Sequence, residues 1–191
     1  MNDVDNSQRL KDLVIACNLA LFEHYGVSLA HAENADPESI WEENLELAGL
    51  IGFTSEEVRG SLVIAAGQKT LDGFGEASGH RDWIQELANQ LLGRVKNRLL
   101  PYAVDLSMTT PLSMRGLHLT LEPKQEESRP LLFHTSSGGA VCVLMDVEFR
   151  PDFTLVLDES AENAVPYSSD VFLSSEEKEF AFVEFRPDFT L

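Results

Sequence analysis

The feature that most constrains this chain is the segment from His80 to Leu100, whose apolar residues recur at three- and four-residue steps. That spacing is typical of an α-helix with one buried face. Pro101 follows directly, and because a proline cannot continue a helix interior, the helix is predicted to end there. The predicted core face consists of Ile84, Leu87, Ala88, Leu91, Leu92, Val95 and Leu99.

The opposite side of this helix carries a polar stripe. At 100° per residue, the stripe contains Glu86, Asn89, Gln90, Gly93 and Asn97. Glu86 and Asn89 are three residues apart, so their side chains are neighbours on the surface. A carboxylate there can accept a hydrogen bond from a lysine, and an amide can orient a water for in-line attack on phosphorus. Gly93 leaves bare backbone on the same stripe, which another protein could approach.

A second long helix is predicted near the start of the chain, from Arg9 to Tyr25, because apolar residues again share one face. Asn6 or Ser7 is predicted to cap its first turn, and Gly26 stands where a helix commonly ends. Residues 71–79 are rich in glycine and are predicted to be irregular.

The remaining apolar runs are short and predict strands. They are Val27–Ala32, Leu45–Phe53, Gly60–Ala66, Val104–Met108, Leu112–Leu121, Leu131–His134 and Ala140–Phe149. A short polar link joins the second and third runs, which favours an antiparallel hairpin. Gly49, Gly52 and Gly60 lie in that hairpin and predict bulges or close backbone approaches. The order of elements predicts an α+β fold, an antiparallel sheet with two long helices packed on one face.

Composition excludes several classes of function. The formal net charge is −18, which argues against nucleic acid and anionic membrane surfaces as partners. No apolar run is long enough for a membrane span, and the first nine residues lack the pattern of a signal peptide. Cys17 and Cys142 are predicted to be buried thiols in a reducing compartment, and the five histidines lack zinc-ligand spacing. We therefore expect a cytoplasmic protein without a metal site of its own.

The C-terminal part of the chain differs from the rest. We expect one domain over residues 1–155, followed by an extension over 156–191 with nine acidic and two basic side chains. The nine residues Val147–Leu155 reappear unchanged as Val183–Leu191. Two interpretations remain open: a recent duplication or cloning artefact, and a second copy that can compete with the first for the same sheet edge.

Residues Glu86–Gly93, with the sequence ELANQLLG, resemble the signature helix of the CheX and CheC family of chemotaxis phosphatases, which has a Glu-x-x-Asn motif followed by a helical glycine. The surrounding order also resembles the family. A leading helix precedes a hairpin punctuated by Gly52 and Gly60, and residues 106–111 with Gly116 are similar to the family's Ser-x-Pro and glycine segment. The resemblance covers roughly residues 5–150.

This resemblance implies a CheC-like fold and hydrolysis of the aspartyl phosphate of a CheY-like response regulator, in bacterial chemotaxis or related two-component signalling. It gives Asn89 the role of positioning the attacking water and gives Glu86 a contact with the receiver, at the lysine beside the phosphate. Gln90, Gly93 and Asn97 would complete the partner-binding surface. The Mg²⁺ would belong to the receiver, so no cofactor of the chain's own is expected.

Two features depart from the family pattern, and an alternative function stays open. Residues 68–79 are shorter than the helix that the family usually has there, and the acidic extension is an addition. One motif helix per chain resembles CheX, which implies a homodimer. The alternative is a non-catalytic CheX-like module that binds a receiver domain or a component of the flagellar switch.

Overall fold

The computed structural model describes residues 2–33, 35, 40, 43–74, 79–125 and 127–156. Nearly all of the C-terminal extension, including the second copy of the repeat, lies outside the described residues. The predicted boundary between a domain and an extension therefore stays a prediction.

Three α-helices and seven strands make up the described fold. The helices are α1 (Asn2–His24), α2 (Gln68–Leu71) and α3 (His80–Leu99), and two 3₁₀ turns span Asp72–Phe74 and Leu100–Tyr102. The strands are β1 (Leu29–His31), β2 (Leu47–Thr54), β3 (Val58–Ala66), β4 (Ser107–Met108), β5 (Leu112–Arg115), β6 (Leu131–Thr135) and β7 (Ala140–Phe149).

The strands form one sheet in the order β1-β6-β7-β3-β2, and both β4 and β5 pair with the outer side of β2. Every pairing is antiparallel. The predicted hairpin is present, because β2 and β3 pair from Leu47 with Ala66 to Thr54 with Arg59. The α+β class with an antiparallel sheet is therefore confirmed.

The two long helices cover one face of this sheet. Along β2, Leu47, Ile51 and Phe53 join the core that contains the buried residues of α1 and α3. The alternate residue Ala48 joins a smaller cluster on the other face, which Ile40, Leu119 and Leu121 help to cover. Since successive side chains of a strand point to opposite faces, both helices pack on the same side of the sheet.

The helix α3 lies close against β2 at Gly49. A β-carbon at Gly49 would be 3.1 Å from the β-carbon of Ala88 and would collide with the carbonyl oxygen of Ile84. All seven residues of the predicted core face of α3 are buried. The close approach predicted for this glycine is confirmed, and it fixes how deeply α3 sits on the sheet.

The predicted start of the first helix is wrong. The helix begins at Asn2, so Asn6 and Ser7 lie inside it and not at its cap. The buried Asn6 amide donates to the carbonyl of Phe153 at 2.8 Å and accepts from the backbone N–H of Leu155 at 2.7 Å. Asn6 therefore provides hydrogen-bond partners for the backbone of residues 153–155, where the chain passes α1 again. The predicted end is confirmed, because α1 stops at His24 and Gly26 follows with φ of 74°.

Other boundaries differ from the prediction. The run Leu112–Leu121 was expected to be one strand, but only Leu112–Arg115 pairs with β2. Beyond it the chain continues along the same edge through isolated hydrogen bonds, from Gly116 to Glu46 and from Leu119 to Leu45. His118 between them has φ of 54°, which breaks the extended conformation. Residues 71–79 were predicted to be irregular, but residues 71–74 form the end of α2 and a 3₁₀ turn.

Pro101 does not end the helical conformation at once. The helix α3 ends at Leu99, and the proline lies in the 3₁₀ turn Leu100–Tyr102 that continues from it. Proline is tolerated there because the first residues of a helical turn have no N–H partner within the turn. None of the described helices is long and apolar enough to cross a membrane.

Candidate functional site

The predicted working pair lies on the solvent side of α3. Glu86 and Asn89 are both exposed, while Leu87 and Ala88 between them are buried against the sheet. The three predicted partner-binding residues are half-buried on the same stripe: Gln90, Gly93 and Asn97. The helix period thus brings all five sequence-predicted residues onto one continuous surface.

The carboxylate of Glu86 has a fixed hydrogen-bond partner one turn along the helix. The amide Nε2 of Gln90 donates to Glu86 Oε1 at 2.6 Å. A donor this close to a carboxylate makes a charge-assisted bond, which is stronger than one between neutral groups. Burial raises the pKa of the Tyr25 hydroxyl, and the side chain of Gln90 acts in the opposite direction. Sequence reasoning identified Tyr25 only as the end of the first helix.

An aromatic cluster holds Tyr25 beside α3. Its ring meets Trp83 edge-on at 5.3 Å between centroids and Phe74 edge-on at 5.5 Å. Such edge-to-face contacts are favourable beyond the area that they bury. The end of α1 is therefore anchored against the first turn of α3, on the side of the stripe where Gln90 lies.

Asn89 lies on the other flank of the stripe. Within the described part of the chain its side-chain amide has no hydrogen-bond partner, so both its N–H donors and its oxygen are available. The nearby Gln85 reaches across to the carbonyl of Pro111 at 3.5 Å, which places residues 109–111 beside α3. This is the segment between β4 and β5 that resembles the Ser-x-Pro segment, and Thr109 accepts a hydrogen bond from Gly52 N at 2.9 Å.

Gly93 continues the open surface toward the C-terminal half of α3. No atom lies within 4 Å of where its β-carbon would stand, so the glycine faces open space. Asn97 lies one further turn along. Next to it, Lys96 is paired with Asp105 at 2.9 Å, which ties the lower end of α3 to the segment before β4.

The stripe lies on the solvent side of α3 and is called the ridge below. A cavity among the described residues lies between α1 and β7, lined by residues such as Leu10, Val14 and Met145, and it contains neither Glu86 nor Asn89. No group of three His, Cys, Asp or Glu within the described residues could hold a metal ion.

Known structures share this fold. The chemotaxis protein CheX from Vibrio vulnificus superposes with a TM-score of 0.62 at 20% identity, over 73% of this chain and 96% of that one. A CheC-like superfamily protein from Shewanella sp. PV-4 gives 0.58 at 20% identity, over 78% and 99%. The CheX of a CheX–CheY–BeF₃–Mg²⁺ complex from Borrelia burgdorferi gives 0.56 at 13% identity, over 72% and 97%.

These likenesses show the fold. No family model matches the chain, and no curated protein matches its sequence. The CheC-like fold expected from the ELANQLLG segment is nevertheless confirmed, because the structural neighbours are CheX and CheC-like proteins and span nearly their whole length. The roles of Glu86 and Asn89 remain predictions.

Proposed function

We propose that this chain binds the phosphorylated receiver domain of a response regulator and hydrolyses its aspartyl phosphate. The observation that carries the proposal is the exposed pair Glu86 and Asn89, side by side on a ridge within a CheX-like fold. A ridge suits a folded protein substrate better than a small molecule, because small ligands bind in concave sites.

Asn89 positions the attacking water in this proposal. Its amide oxygen accepts a hydrogen bond from the water and holds it in line with the bond between phosphorus and the aspartyl oxygen. The water oxygen attacks phosphorus, the P–O bond to the aspartate breaks, and inorganic phosphate and a free carboxylate result. Phosphoryl transfer needs little covalent help from the enzyme, so a well-placed amide is sufficient.

Glu86 binds the partner. Its carboxylate accepts a charge-assisted hydrogen bond from a lysine of the receiver, beside the phosphorylated aspartate. The Mg²⁺ that neutralises the phosphoryl oxygens is carried by the receiver. The Borrelia burgdorferi CheX was solved with CheY, BeF₃ and Mg²⁺ together, and BeF₃ has the shape and charge of a phosphoryl group. That precedent supports a receiver as the partner of this chain.

The wider setting follows from the same resemblance. The protein is proposed to act in the cytoplasm, in bacterial chemotaxis or a related two-component pathway, and to form a homodimer as CheX does. Analytical ultracentrifugation tests the dimer directly. A single species with the mass of one chain at micromolar concentration would contradict it.

The test of the reaction is loss of phosphate from radiolabelled receiver domains of the source organism. We expect the wild-type protein to accelerate the loss and Asn89→Ala to reduce the acceleration by about 100-fold, the usual effect of removing one positioning group. Binding of the Asn89→Ala variant to the receiver should change little. Arg98→Ala serves as the matched control, because Arg98 is exposed on the same helix three turns from Glu86.

A second candidate function is a binding module without turnover. The free amide of Asn89 favours it, since no described residue holds that amide in one orientation. The two functions differ in one measurement. A wild-type protein that binds the receiver through Glu86 but leaves its dephosphorylation rate unchanged would establish the binding module and exclude the phosphatase.

A further inference from the structure

We propose that the outer edge of β7 is a docking site for an extended segment of another protein, one that combines alternating apolar side chains with acidic ends. The segment adds a strand beside Met145–Phe149 and fills the cavity next to α1. This site is separate from the ridge, because the cavity contains neither Glu86 nor Asn89. The proposal therefore goes beyond the proposed function and does not depend on it.

The strand β7 is longer than its neighbour β6. Pairing between the two ends at Leu131 and Val143, but β7 continues to Phe149. On its other side β7 stays paired with β3 as far as Val58 and Phe149. Among the described residues, the part of β7 from residue 144 to residue 149 therefore has a paired strand on one side only.

The backbone groups on the unpaired side belong to alternate residues. The N–H of Arg150 donates to Glu57 O at 2.7 Å, in the register of the pairs between β3 and β7. Because hydrogen-bonded pairs alternate along an antiparallel ladder, the backbone groups of Glu148 and Asp146 also face β3. Those that face outward, with no hydrogen bond to another described residue, belong to Met145, Val147 and Phe149. These outward-facing residues are called the open edge.

The side chains of the open edge line a cavity of about 260 Å³ on the helix face of the sheet. Leu10 and Val14 of α1 line the same cavity. Since every second side chain of an added strand points to the same face, alternate side chains of the partner would enter it. Strand addition of this kind gains affinity from backbone hydrogen bonds and specificity from the pockets for alternate side chains. The geometry therefore fits an extended segment with apolar residues at every second position.

Two cations in the lining of the cavity determine the charge of the partner. Lys11 and Arg129 line it, and neither forms a hydrogen bond or an ion pair within the described residues. The acidic residue in the same lining is Glu127, so the positive charges are in excess there. The remaining charges of the protein are largely screened beyond about 8 Å at physiological ionic strength. The local cations therefore favour acidic side chains in the partner, despite the negative net charge of the whole chain.

A second copy of this chain fits the open edge less well. If two β7 strands paired antiparallel about Val147, Asp146 of one copy would lie directly opposite Glu148 of the other. Like charges directly opposite each other destabilise a pair of strands. The occupant is therefore a segment of a different protein.

Amide hydrogen exchange, followed by NMR in the full chain, tests the site with two peptides. The probe is an acetylated and amidated peptide, Glu-Val-Thr-Val-Thr-Val-Glu, and its control carries lysine in place of both glutamates. We expect the acidic peptide to slow exchange at Met145, Val147 and Phe149. Exchange at Asp146 and Glu148, whose N–H groups already face β3, should not change. The acidic peptide should bind about tenfold more tightly than the lysine peptide.

Variants of the lining test whether the cavity takes part. Lys11→Glu and Arg129→Glu should each weaken binding of the acidic peptide about two- to fivefold, the usual size of an ion pair near the surface. Lys69→Glu makes the same change of charge at an exposed position on α2 and should have no effect. Ser128→Trp fills the cavity and should abolish binding of the acidic peptide. Circular dichroism shows whether Ser128→Trp folds, and the charge variants carry the test if it does not.

Several results would overturn the proposal. They are equal binding of the two peptides, unchanged exchange at the open edge when the acidic peptide is added, and equal effects of Lys11→Glu and Lys69→Glu. Slow exchange at the open edge without any peptide would also overturn it, because the edge would already be covered. In that case a sedimentation coefficient that rises with protein concentration would identify a second copy of the chain as the occupant.

Discussion

At the scale of single residues, α1 contains two fully buried asparagines, of which one has hydrogen-bond partners and the other has none among the described residues. The amide of Asn6 is satisfied at both ends by the backbone of Phe153 and Leu155. The amide of Asn18 has no hydrogen-bond partner for either its nitrogen or its oxygen among the described residues. A buried polar group without a partner costs roughly 1–3 kcal/mol, so these two residues should contribute to stability with opposite sign.

Replacing each asparagine by leucine measures that difference. Asn18→Leu should raise the free energy of unfolding by about 1 kcal/mol, because an unsatisfied amide is exchanged for apolar atoms of similar size. Asn6→Leu should lower it by about 2 kcal/mol, since the N–H of Leu155 and the carbonyl of Phe153 lose their partner. Urea unfolding at constant m-value reports both changes. Equal destabilisation by the two variants would show that Asn18 is satisfied in solution.

The buried thiol of Cys142 predicts a pH dependence. Burial raises its pKa to about 12 from an ordinary 9.0, with the charge of Glu43 adding to the effect. Above about pH 9 the unfolded chain loses this proton and the folded chain keeps it. The free energy of unfolding should therefore fall with rising pH between about 9 and 12, by up to about 1.4 kcal/mol per unit from this group.

The control is Cys142→Ala, compared with wild type across the same pH range. Tyrosines and lysines also titrate there, so only the difference in slope between the two proteins reports the thiol. The variant should be less stable at pH 8, where the lost side chain leaves a small cavity. Its disadvantage should shrink as the pH rises. A constant difference would contradict the assignment.

At the scale of elements, α3 has one glycine beneath it in β2 and another on its own exposed stripe. Gly49 lies under the helix, where a β-carbon would collide with the carbonyl oxygen of Ile84. Gly93 lies on the exposed stripe, where a β-carbon would meet nothing within 4 Å. The same chemical change, glycine to alanine, should therefore have opposite consequences at the two positions.

Gly49→Ala is expected to lower the free energy of unfolding by about 1–3 kcal/mol, because the extra methyl group overpacks the interface. Gly93→Ala should raise it by about 1 kcal/mol through helix propensity alone. Chemical denaturation of both variants checks the pair. Destabilisation by Gly93→Ala would mean that the stripe is covered in the free protein. An unchanged free energy of unfolding in Gly49→Ala would mean that α3 can move away from β2 to make room for the methyl group.

Elements with strong periodic patterns could be predicted from the sequence, and elements defined by distant partners could not. The core face of α3 followed from apolar spacing, and β7 has the bounds predicted for it, since Ala140–Met145 is a continuous apolar run. The early start of α1 escaped prediction, because Asn6 looks like a cap until its partners at residues 153 and 155 are known. The position of Tyr25 was missed for the same reason, because its ring contacts Trp83 on a different helix.

At the scale of the whole molecule, the most prominent property is the large negative net charge. Acidic residues number 32 and basic residues 14, which leaves a formal net charge of −18. A large net charge keeps a protein soluble, but the like charges repel one another within the compact folded state. Ions screen that repulsion over a distance of about 10 Å at 0.1 M salt.

Salt should therefore stabilise this protein. We expect the midpoint of thermal unfolding at pH 7 to rise by several degrees as NaCl increases from about 0.02 to 0.5 M, as the Debye length shortens. Near pH 4.5, the isoelectric point of the sequence, the net repulsion is absent and the same salt increase should have little effect. A midpoint that falls with salt at pH 7 would show that specific ion pairs outweigh the net charge.

The hydrogen bonds between Asn6 and residues 153–155 also set an order of events during synthesis. Asn6 leaves the ribosome well before its partners, which are 147 and 149 positions later. At typical rates of about 5–20 residues per second, the buried amide waits on the order of 10–30 s for them. Until then the Asn6 amide has neither of these two backbone partners. A chain interrupted before Phe153 would therefore bury the Asn6 amide without either partner when its first helix packs on the sheet, at a cost of roughly 1–3 kcal/mol.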